Sequence, residues 1–130
     1  MKTNNLEEFE QLLRRYNQCF YERDIESLRN MYVLDGDVIY FDNHANCDSS
    51  EMEPHLTKVK EFFDSGSIVE LLSENLTVYQ YKDAACMIVK VRYSGNPQPG
   101  VRASFFLEKY QRQWKIRHIH FSNDPNEVKI

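Results

Sequence analysis

The chain is poor in the residues that cross-link small proteins or bind metal through sulfur. It has three cysteines, Cys19, Cys47 and Cys86, and no two of them form a CxxC motif. An odd number of cysteines at these spacings encodes neither a disulfide framework nor a cysteine zinc site. The sequence therefore predicts reduced thiols, as in a cytoplasmic protein.

Long apolar runs and an excess of positive charge are also missing. No stretch approaches the roughly 20 apolar residues that cross a membrane, and the first nine residues are polar and acidic where a signal peptide is apolar. Lys and Arg number 16 against 20 Asp and Glu, whereas nucleic-acid binding needs clustered basic residues. We therefore expect a cytoplasmic protein that binds no membrane and no nucleic acid.

Aromatic residues are abundant, at 13% of the chain, with eight Tyr, eight Phe and one Trp. The hydrophobic fraction of 42% is ordinary for a soluble globular protein. A chain of 130 residues is long enough to bury a core without metal or disulfides. We expect one domain over residues 1–130, in which aromatic side chains fill a core and line a pocket.

Helical periodicity dominates the first half of the chain. Apolar residues recur every three or four positions over about residues 5–22, which predicts an amphipathic helix. Asp24 is placed to cap a second, shorter helix. A short strand follows over residues 37–42, and a third helix begins within residues 50–54 and stops at Gly66.

After this point the pattern changes to strands. Four long runs are rich in β-branched and aromatic residues, namely residues 68–81, 84–93, 101–110 and 114–122. Two of the connections are short enough for hairpin turns, residues 94–100 form a longer loop, and residues 123–130 form a loosely held tail. Helices followed by an antiparallel meander are typical of an α+β domain. We expect a curved antiparallel sheet, shaped like a cone, packed against three N-terminal helices.

The last predicted strand contains the only Trp and two of the four His. Because side chains on a strand alternate between faces, His118 and His120 share one face with Trp114. Lys115 and Arg117 lie on the opposite face, where their charges favour solvent. This pattern favours an enclosed position for the two histidines.

The order helix, helix, short strand, helix and four-stranded meander resembles the nuclear transport factor 2-like superfamily, which includes SnoaL-like polyketide cyclases and ketosteroid isomerases and has a cystatin-like fold. The segments Leu12–Tyr16, Asp24–Leu28 and Met31-Tyr32 are similar to the first two helices of ketosteroid isomerases. Trp114–Ser122 is similar to the closing strand of many SnoaL-like domains. The resemblance implies a homodimer with a conical pocket.

The resemblance also implies roles for two residues. Tyr16 matches the helix-one tyrosine that donates a hydrogen bond to the enolate oxygen in ketosteroid isomerases. Asp42 falls at the end of the first strand, where their general base lies. Together a carboxylate and a phenol can move a proton next to a carbonyl in a dry cavity. The second donor of those enzymes, a protonated acid on the penultimate strand, has no counterpart in Ser104–Leu107.

Both residues also have a purely structural interpretation. Tyr16 lies on an apolar helix stripe, where a tyrosine more often packs in the core. A carboxylate at a strand end, such as Asp42, is as often a turn former as a base. The neighbours favour function, because Tyr40 and His44 flank Asp42 and would bring a phenol and an imidazole to the same place.

Aligning the last strand with ketosteroid isomerases gives the opposite orientation to simple alternation, with Ile119 and Phe121 inside and the histidines toward a dimer partner. Both orientations stay open. The candidate catalytic residues are Asp42, Tyr16 and His118. The candidate binding residues are Tyr40, His44, Phe20, Trp114 and His120.

A metal site is a weaker possibility. His118 and His120 have the spacing of a two-histidine clamp that Asp42 or His44 could complete. An HxH pair alone is not specific for metal, however, and the family that the chain resembles usually works without one. We expect neither metal nor cofactor.

Two classes of function fit these observations. The first is a cofactor-independent isomerase or cyclase that acts on a small apolar carbonyl compound. The second is a non-catalytic ligand-binding or association module, like the association domain of calcium/calmodulin-dependent kinases, which shares the fold. Because Val69, Leu71, Ile88 and Phe105 cannot all be inside, either class is expected to form a homodimer through the outer face of the sheet.

Overall fold

A computed structural model describes residues 1–66 and 69–128. Its elements are, in chain order, α1 (Glu7–Glu22), α2 (Ile25–Arg29), β1 (Ile39–Phe41), α3 (Met52–Asp64), β2 (Leu71–Gln80), β3 (Ala84–Tyr93), β4 (Asn96–Tyr110) and β5 (Gln113–Asn123). The predicted start of the first long strand, at Ile68, lies outside the described residues. Within residues 1–66 and 69–128, no helix is both long and apolar enough to cross a lipid bilayer.

The strands form one five-stranded sheet in the order β1-β5-β4-β3-β2. Strands β2 to β5 are the predicted antiparallel meander, and β1 joins its far edge by pairing in parallel with β5. The three helices precede the meander, so the predicted α+β architecture is confirmed. The parallel pairing matters for function because it places the chain that follows β1 beside the inner face of the sheet.

Helix α1 packs its apolar stripe against the sheet. The stripe is Phe9, Leu12, Leu13, Tyr16 and Cys19, all of them buried. Three glutamates in the first turn complement the positive end of the helix dipole. Helix α2 begins where predicted, because the Asp24 side chain accepts a hydrogen bond from the Ser27 backbone N–H at 3.1 Å.

The predicted loop over residues 94–100 is mostly strand. Tyr93 pairs directly with Asn96, so the β3–β4 connection is a tight turn, and β4 is 15 residues long. Pro97 and Pro99 lack backbone N–H donors, and they lie where the ladder between β3 and β4 shifts register. The prolines therefore occupy a break in the pairing rather than a free loop.

The tail is also more ordered than the sequence predicts. Asp124 is only 7% exposed, and its carboxylate accepts a hydrogen bond from the Lys90 ammonium at 2.9 Å. Glu127 pairs with Arg92 at 2.7 Å and with Lys90 at 3.0 Å. These ion pairs hold residues 124–127 against β3, so the expectation of a loose tail is wrong for this part of it.

A β-bulge in β5 decides which side chains face inward. Leu107 of β4 pairs with Ile116, but its neighbour Phe106 pairs with His118, so Arg117 is one extra residue in β5. Its guanidinium makes a bidentate ion pair with Asp35, at 2.8 and 3.0 Å. The alternation of faces therefore restarts after the bulge.

Because of the bulge, the prediction that His118 and His120 share a face with Trp114 is wrong. Trp114 before the bulge and Ile119 and Phe121 after it are all buried on the inner face. His118 and His120 point to the outer face, where both rings contact Phe41 at centroid distances of 5.5 and 5.4 Å. The orientation obtained by aligning the strand with ketosteroid isomerases is therefore the observed one for Ile119 and Phe121.

Candidate functional site

The helices and the inner face of the sheet enclose a cavity of about 510 Å³. This volume is typical of a site for a small organic molecule. The walls are mainly apolar and aromatic, with Phe20, Val59, Val101 and Phe121 among them. The polar side chains include Asp42 and His44 from the segment that follows β1, and His55 and Lys58 from α3.

Five of the candidate residues line this cavity. They are Tyr16, Phe20, Tyr40, Asp42 and His44. They come from α1, from β1 and from the loop after β1, which the parallel pairing of β1 with β5 brings together. The structure thus gathers the acid, the phenols and one imidazole as the sequence suggested, while their roles stay predictions.

The structure does not bring the other three candidates to the cavity. His118 and His120 are on the outer face because of the bulge, and His118 Nδ1 lies 2.6 Å from the Ile39 carbonyl oxygen. Trp114 is on the inner face but away from the cavity, where its indole N–H donates to Glu8 at 2.8 Å. We therefore place none of these three side chains in the site.

Asp42 is held by three hydrogen bonds to its carboxylate. Oδ1 accepts from the Tyr40 hydroxyl at 2.9 Å, and Oδ2 accepts from the His44 backbone N–H and from His44 Nδ1, each at 3.0 Å. The side chain is only 11% exposed. A carboxylate has about four acceptor positions, so roughly one remains for a ligand.

This arrangement also fixes the tautomer of His44. A carboxylate can only accept, so the neutral His44 ring carries its proton on Nδ1, and Nε2 is an acceptor with no partner in residues 1–66 and 69–128. The His44 side chain is 62% exposed, in contrast to its buried partner. Asp42 and His44 therefore form an acid–imidazole pair at the rim of the cavity.

Tyr16 provides a hydroxyl without a partner. The residue is 1% exposed, and its hydroxyl makes no hydrogen bond of normal geometry in the described part of the chain, although the Tyr32 hydroxyl is close enough to affect it. Its ring is fixed edge-on against Phe105, with centroids 5.2 Å apart. Burial raises the pKa of Tyr16 well above its usual value, and nearby Tyr32 and Asp42 add to this effect. The phenol thus stays protonated and is a donor in an apolar wall.

The structure adds one residue that the sequence interpretation missed, His55 of α3. It lines the cavity and is 1% exposed. Its Nε2 lies 2.8 Å from the Tyr32 hydroxyl, and its ring stacks on Tyr40. Burial lowers the pKa of His55 to about 4, with Asp42 opposing and Lys58 reinforcing the shift. The ring is therefore neutral near pH 7.

A signal for His55 was present in the sequence. The residue precedes Val59 by four positions and Phe63 by eight, so it belongs to the apolar stripe of α3. A histidine on such a stripe must find a hydrogen-bond partner or line a cavity. Here it does both.

Metal binding has no visible basis in the described residues. In residues 1–66 and 69–128, no three His, Cys, Asp or Glu side chains are grouped so that they could hold an ion. His118 and His120 lie with ring centroids 6.4 Å apart. Phe41 lies against both rings, and within the described part of the chain no third ligand joins them.

Solved structures with the same fold are numerous. A candidate dehydratase of the NTF2-like family from Streptomyces avermitilis superposes with a TM-score of 0.77 at 15% identity, covering 92% of this chain and 96% of that chain. A candidate calcium/calmodulin-dependent protein kinase type II association domain from Thiobacillus denitrificans gives 0.76 at 13% identity, covering 88% and 94%. A protein of unknown function with a cystatin-like fold from Nostoc punctiforme gives 0.74 at 16% identity, covering 96% of both chains.

These identities are low, so the similarities establish the fold and nothing finer. No curated protein matches the chain. Residues 9–125, however, match the profile of the SnoaL-like domain family, which accounts for most of the sequence. The chain therefore belongs to the SnoaL-like domain family.

Proposed function

We propose that the cavity binds a small, largely apolar carbonyl compound and that the protein moves a proton at the carbon next to the carbonyl, without a cofactor. The observation that carries this proposal is the unpartnered, buried hydroxyl of Tyr16 on the wall of the cavity that Asp42 also lines. Leaving a buried hydroxyl unpaired costs about 1–3 kcal/mol. A ligand oxygen that accepts its proton removes this cost.

The proposed step needs a base and a donor. Asp42 accepts the proton from the α-carbon, and the electron pair of the C–H bond moves to form a C=C bond and a negatively charged oxygen. The Tyr16 hydroxyl donates a hydrogen bond to that oxygen. Return of the proton to a different carbon gives isomerisation, and attack of the enolate on a second carbonyl carbon in the same molecule gives cyclisation.

The contacts of Asp42 support this role. Its three hydrogen bonds fix the carboxylate, and the remaining acceptor position is the one available to a substrate. His44 can then relay the proton when its own proton moves from Nδ1 to the exposed Nε2, because Nδ1 then accepts the proton of the acid while Nε2 releases one to solvent. The relay explains how a buried base would exchange its proton with solvent.

The experiment is hydrogen–deuterium exchange at the α-carbon of 1-tetralone, a flat enolisable ketone, followed by NMR in D₂O. We expect exchange above the buffer rate with the wild-type protein, loss of it in Asp42→Asn and a smaller decrease in Tyr16→Phe. Tyr21→Phe is the matched control, since Tyr21 lies on the same helix, is 50% exposed and does not line the cavity.

Two results would contradict this function. One is exchange with the wild-type protein that is no faster than in buffer. The other is an Asp42→Asn variant that is less stable to heat but binds the ketone as tightly as wild type, since this would make Asp42 a structural residue.

A second candidate function is a non-catalytic association module, favoured by the outer face of the sheet. Two rows of side chains cross this face from β1 to β2. The first row is Ile39, His118, Phe106, Cys86 and Tyr79, and the second is Phe41, His120, Ser104, Ile88 and Thr77. The large apolar members are each 41–44% exposed.

We propose that a second copy of the chain covers these two rows. An exposed, continuous apolar sheet face is typical of a subunit interface. Such a dimer is compatible with either function, because the cavity is on the opposite face of the sheet.

A further inference from the structure

His55 is the cavity residue that the proposed mechanism has not yet used. It is 1% exposed, among apolar side chains of α3 and the aromatic rings of Tyr32 and Tyr40. A buried imidazole is costly unless both its nitrogens are paired. Among the residues that the structure describes, only Nε2 has a partner.

The hydrogen bond to Tyr32 determines where the imidazole proton lies. The Tyr32 hydroxyl is 0% exposed and 2.8 Å from His55 Nε2. The Tyr16 hydroxyl is close enough to affect the pKa of Tyr32 but does not form a hydrogen bond of normal geometry with it. Within the described residues, His55 Nε2 is thus the only acceptor at normal hydrogen-bond distance and angle for the phenol proton. Tyr32 therefore donates, Nε2 accepts, and the neutral ring carries its own proton on Nδ1.

His55 Nδ1 is then a donor that is still unused. It forms no hydrogen bond within residues 1–66 and 69–128, and the residue lines the cavity. The ring cannot turn freely, because Tyr40 stacks on it at 4.0 Å and the Tyr40 hydroxyl is itself bonded to Asp42. The N–H direction is fixed before any ligand binds, which is what stabilisation of a developing charge requires.

We propose that His55 Nδ1–H is, beside the Tyr16 hydroxyl, a second hydrogen-bond donor to the ligand, and that it determines specificity for a carbonyl or enolate oxygen. This inference rests on the proposed function and names a further residue of the same site. An oxyanion accepts more than one hydrogen bond, and Tyr16 supplies only one. A neutral imidazole suits this role because an imidazolium would form an ion pair with Asp42 and weaken it as a base.

The test uses two variants of His55 to distinguish the roles of its two ring nitrogens. An asparagine amide nitrogen occupies about the position of histidine Nδ1 and can donate as it does, and a glutamine amide oxygen can occupy about the position of Nε2 and accept from the Tyr32 hydroxyl. His55→Asn therefore keeps a donor toward the ligand and loses the contact with Tyr32. His55→Gln keeps the contact with Tyr32 and loses the donor.

The probe is 2-naphthol, a flat bicyclic phenol whose oxygen accepts hydrogen bonds as an enolate oxygen does, titrated against each protein by fluorescence. We expect His55→Gln to bind it roughly tenfold more weakly than wild type, the effect of one lost hydrogen bond in a dry site. His55→Asn should bind within about threefold of wild type but melt at a lower temperature than His55→Gln. Proton-coupled ¹⁵N NMR of the free wild-type protein should show the His55 proton on Nδ1.

The outcomes distinguish the two proposals. If wild-type protein does not bind 2-naphthol, the proposed function fails and this inference fails with it. If wild type binds and both variants bind equally well, the cavity keeps its function and the role of His55 is overturned. A proton on Nε2 in the NMR spectrum would also overturn it.

Discussion

Tyr40 lies nearly flat against His55, with ring centroids 4.0 Å apart and an angle of 28° between the planes. The hydroxyl at the far end of the same tyrosine donates to Asp42 at 2.9 Å. One side chain of β1 thus contacts both the buried imidazole of α3 and the carboxylate at the end of its own strand. The acid and the imidazole are positioned relative to each other by a rigid aromatic ring.

Removing the Tyr40 hydroxyl should affect the site more than the fold. We expect Tyr40→Phe to retain the stacking on His55 and to reduce the free energy of unfolding by about 1 kcal/mol, the usual value of a hydrogen bond. Asp42 would lose one of three partners, so exchange on 1-tetralone should fall. Denaturant unfolding and the exchange assay measure the two effects.

Tyr110→Phe is the matched control for this substitution. The Tyr110 hydroxyl also bonds a carboxylate, that of Glu108 at 3.3 Å, but on the exposed surface. It should change stability by less than about 0.5 kcal/mol and leave exchange unaffected. An equal effect of both substitutions on exchange would contradict the positioning role of Tyr40.

The buried imidazole should make stability depend on pH. The pKa of His55 is lowered to about 4 by burial, against about 6.5 for histidine in an unfolded chain. Between these values the unfolded state binds a proton that the folded state does not, so the free energy of unfolding falls as the pH falls. The loss from about pH 6.5 to about pH 4 is roughly 3 kcal/mol.

The variant His55→Gln isolates this contribution, because all other ionisable groups are shared. The charged groups that act on the ring, Asp42 from the end of β1 and Lys58 from α3, are also retained. The stability difference between wild type and variant should therefore shrink as the pH is lowered from about 6.5 toward 4. Chemical denaturation at several pH values measures this difference. If the free energies of unfolding of wild type and His55→Gln depend on pH in the same way, His55 is not buried in its neutral form.

The order of elements was predictable because its signals are local. The apolar period of α1, the capping Asp24 and the β-branched runs are each visible within a few residues. The inward position of Tyr16 and the placement of Asp42 at the end of β1 follow from the same patterns. These features needed no knowledge of the tertiary structure.

The orientation of the last strand was not predictable in this way. The bulge at Arg117 depends on pairing with β4 and on an ion pair with Asp35, which is 82 positions away in the chain. The place of His55 on the apolar stripe of α3 was visible, but its hydrogen-bond partner was not, since Tyr32 is 23 positions away. Both features depend on contacts between segments distant in sequence.

The ion pairs of the tail should protect the start of β4. The Glu127 carboxylate accepts from the Gly100 backbone N–H at 3.0 Å, and Arg92 together with this N–H holds the pKa of Glu127 well below its usual range. A side chain at position 100 would meet Lys90 Cδ at 2.8 Å, so glycine is needed for this close approach. We expect Glu127→Ala to speed amide hydrogen exchange at Gly100.

Glu127→Gln is the matched control, because its amide oxygen can still accept from the Gly100 N–H. In Glu127→Gln, amide hydrogen exchange at Gly100 should be faster than in wild type and slower than in Glu127→Ala. Because the folded-state pKa of Glu127 is lowered, the wild-type contacts should persist below the pH at which an ordinary glutamate is protonated and be lost at still lower pH. Unchanged protection in Glu127→Ala would show that the tail does not hold this segment.

The outer face of the sheet should determine the oligomeric state. Phe106 lies near the centre of the face, between His118 on β5 and Cys86 on β3, and is 41% exposed. We expect sedimentation equilibrium to give about twice the chain mass of 15.5 kDa at micromolar concentration. Phe106→Glu should give the monomer mass, because two carboxylates would be buried near the symmetry axis.

Leu34→Glu is the control for the dimer test, because Leu34 is an apolar side chain that is 85% exposed and lies outside the sheet. It introduces the same charge, so it should leave the mass near that of the dimer. A wild-type mass near 15.5 kDa would contradict the interface outright. A dimer that persists in Phe106→Glu would mean that the two copies meet through another surface, and the two rows of the outer face would then need a different explanation.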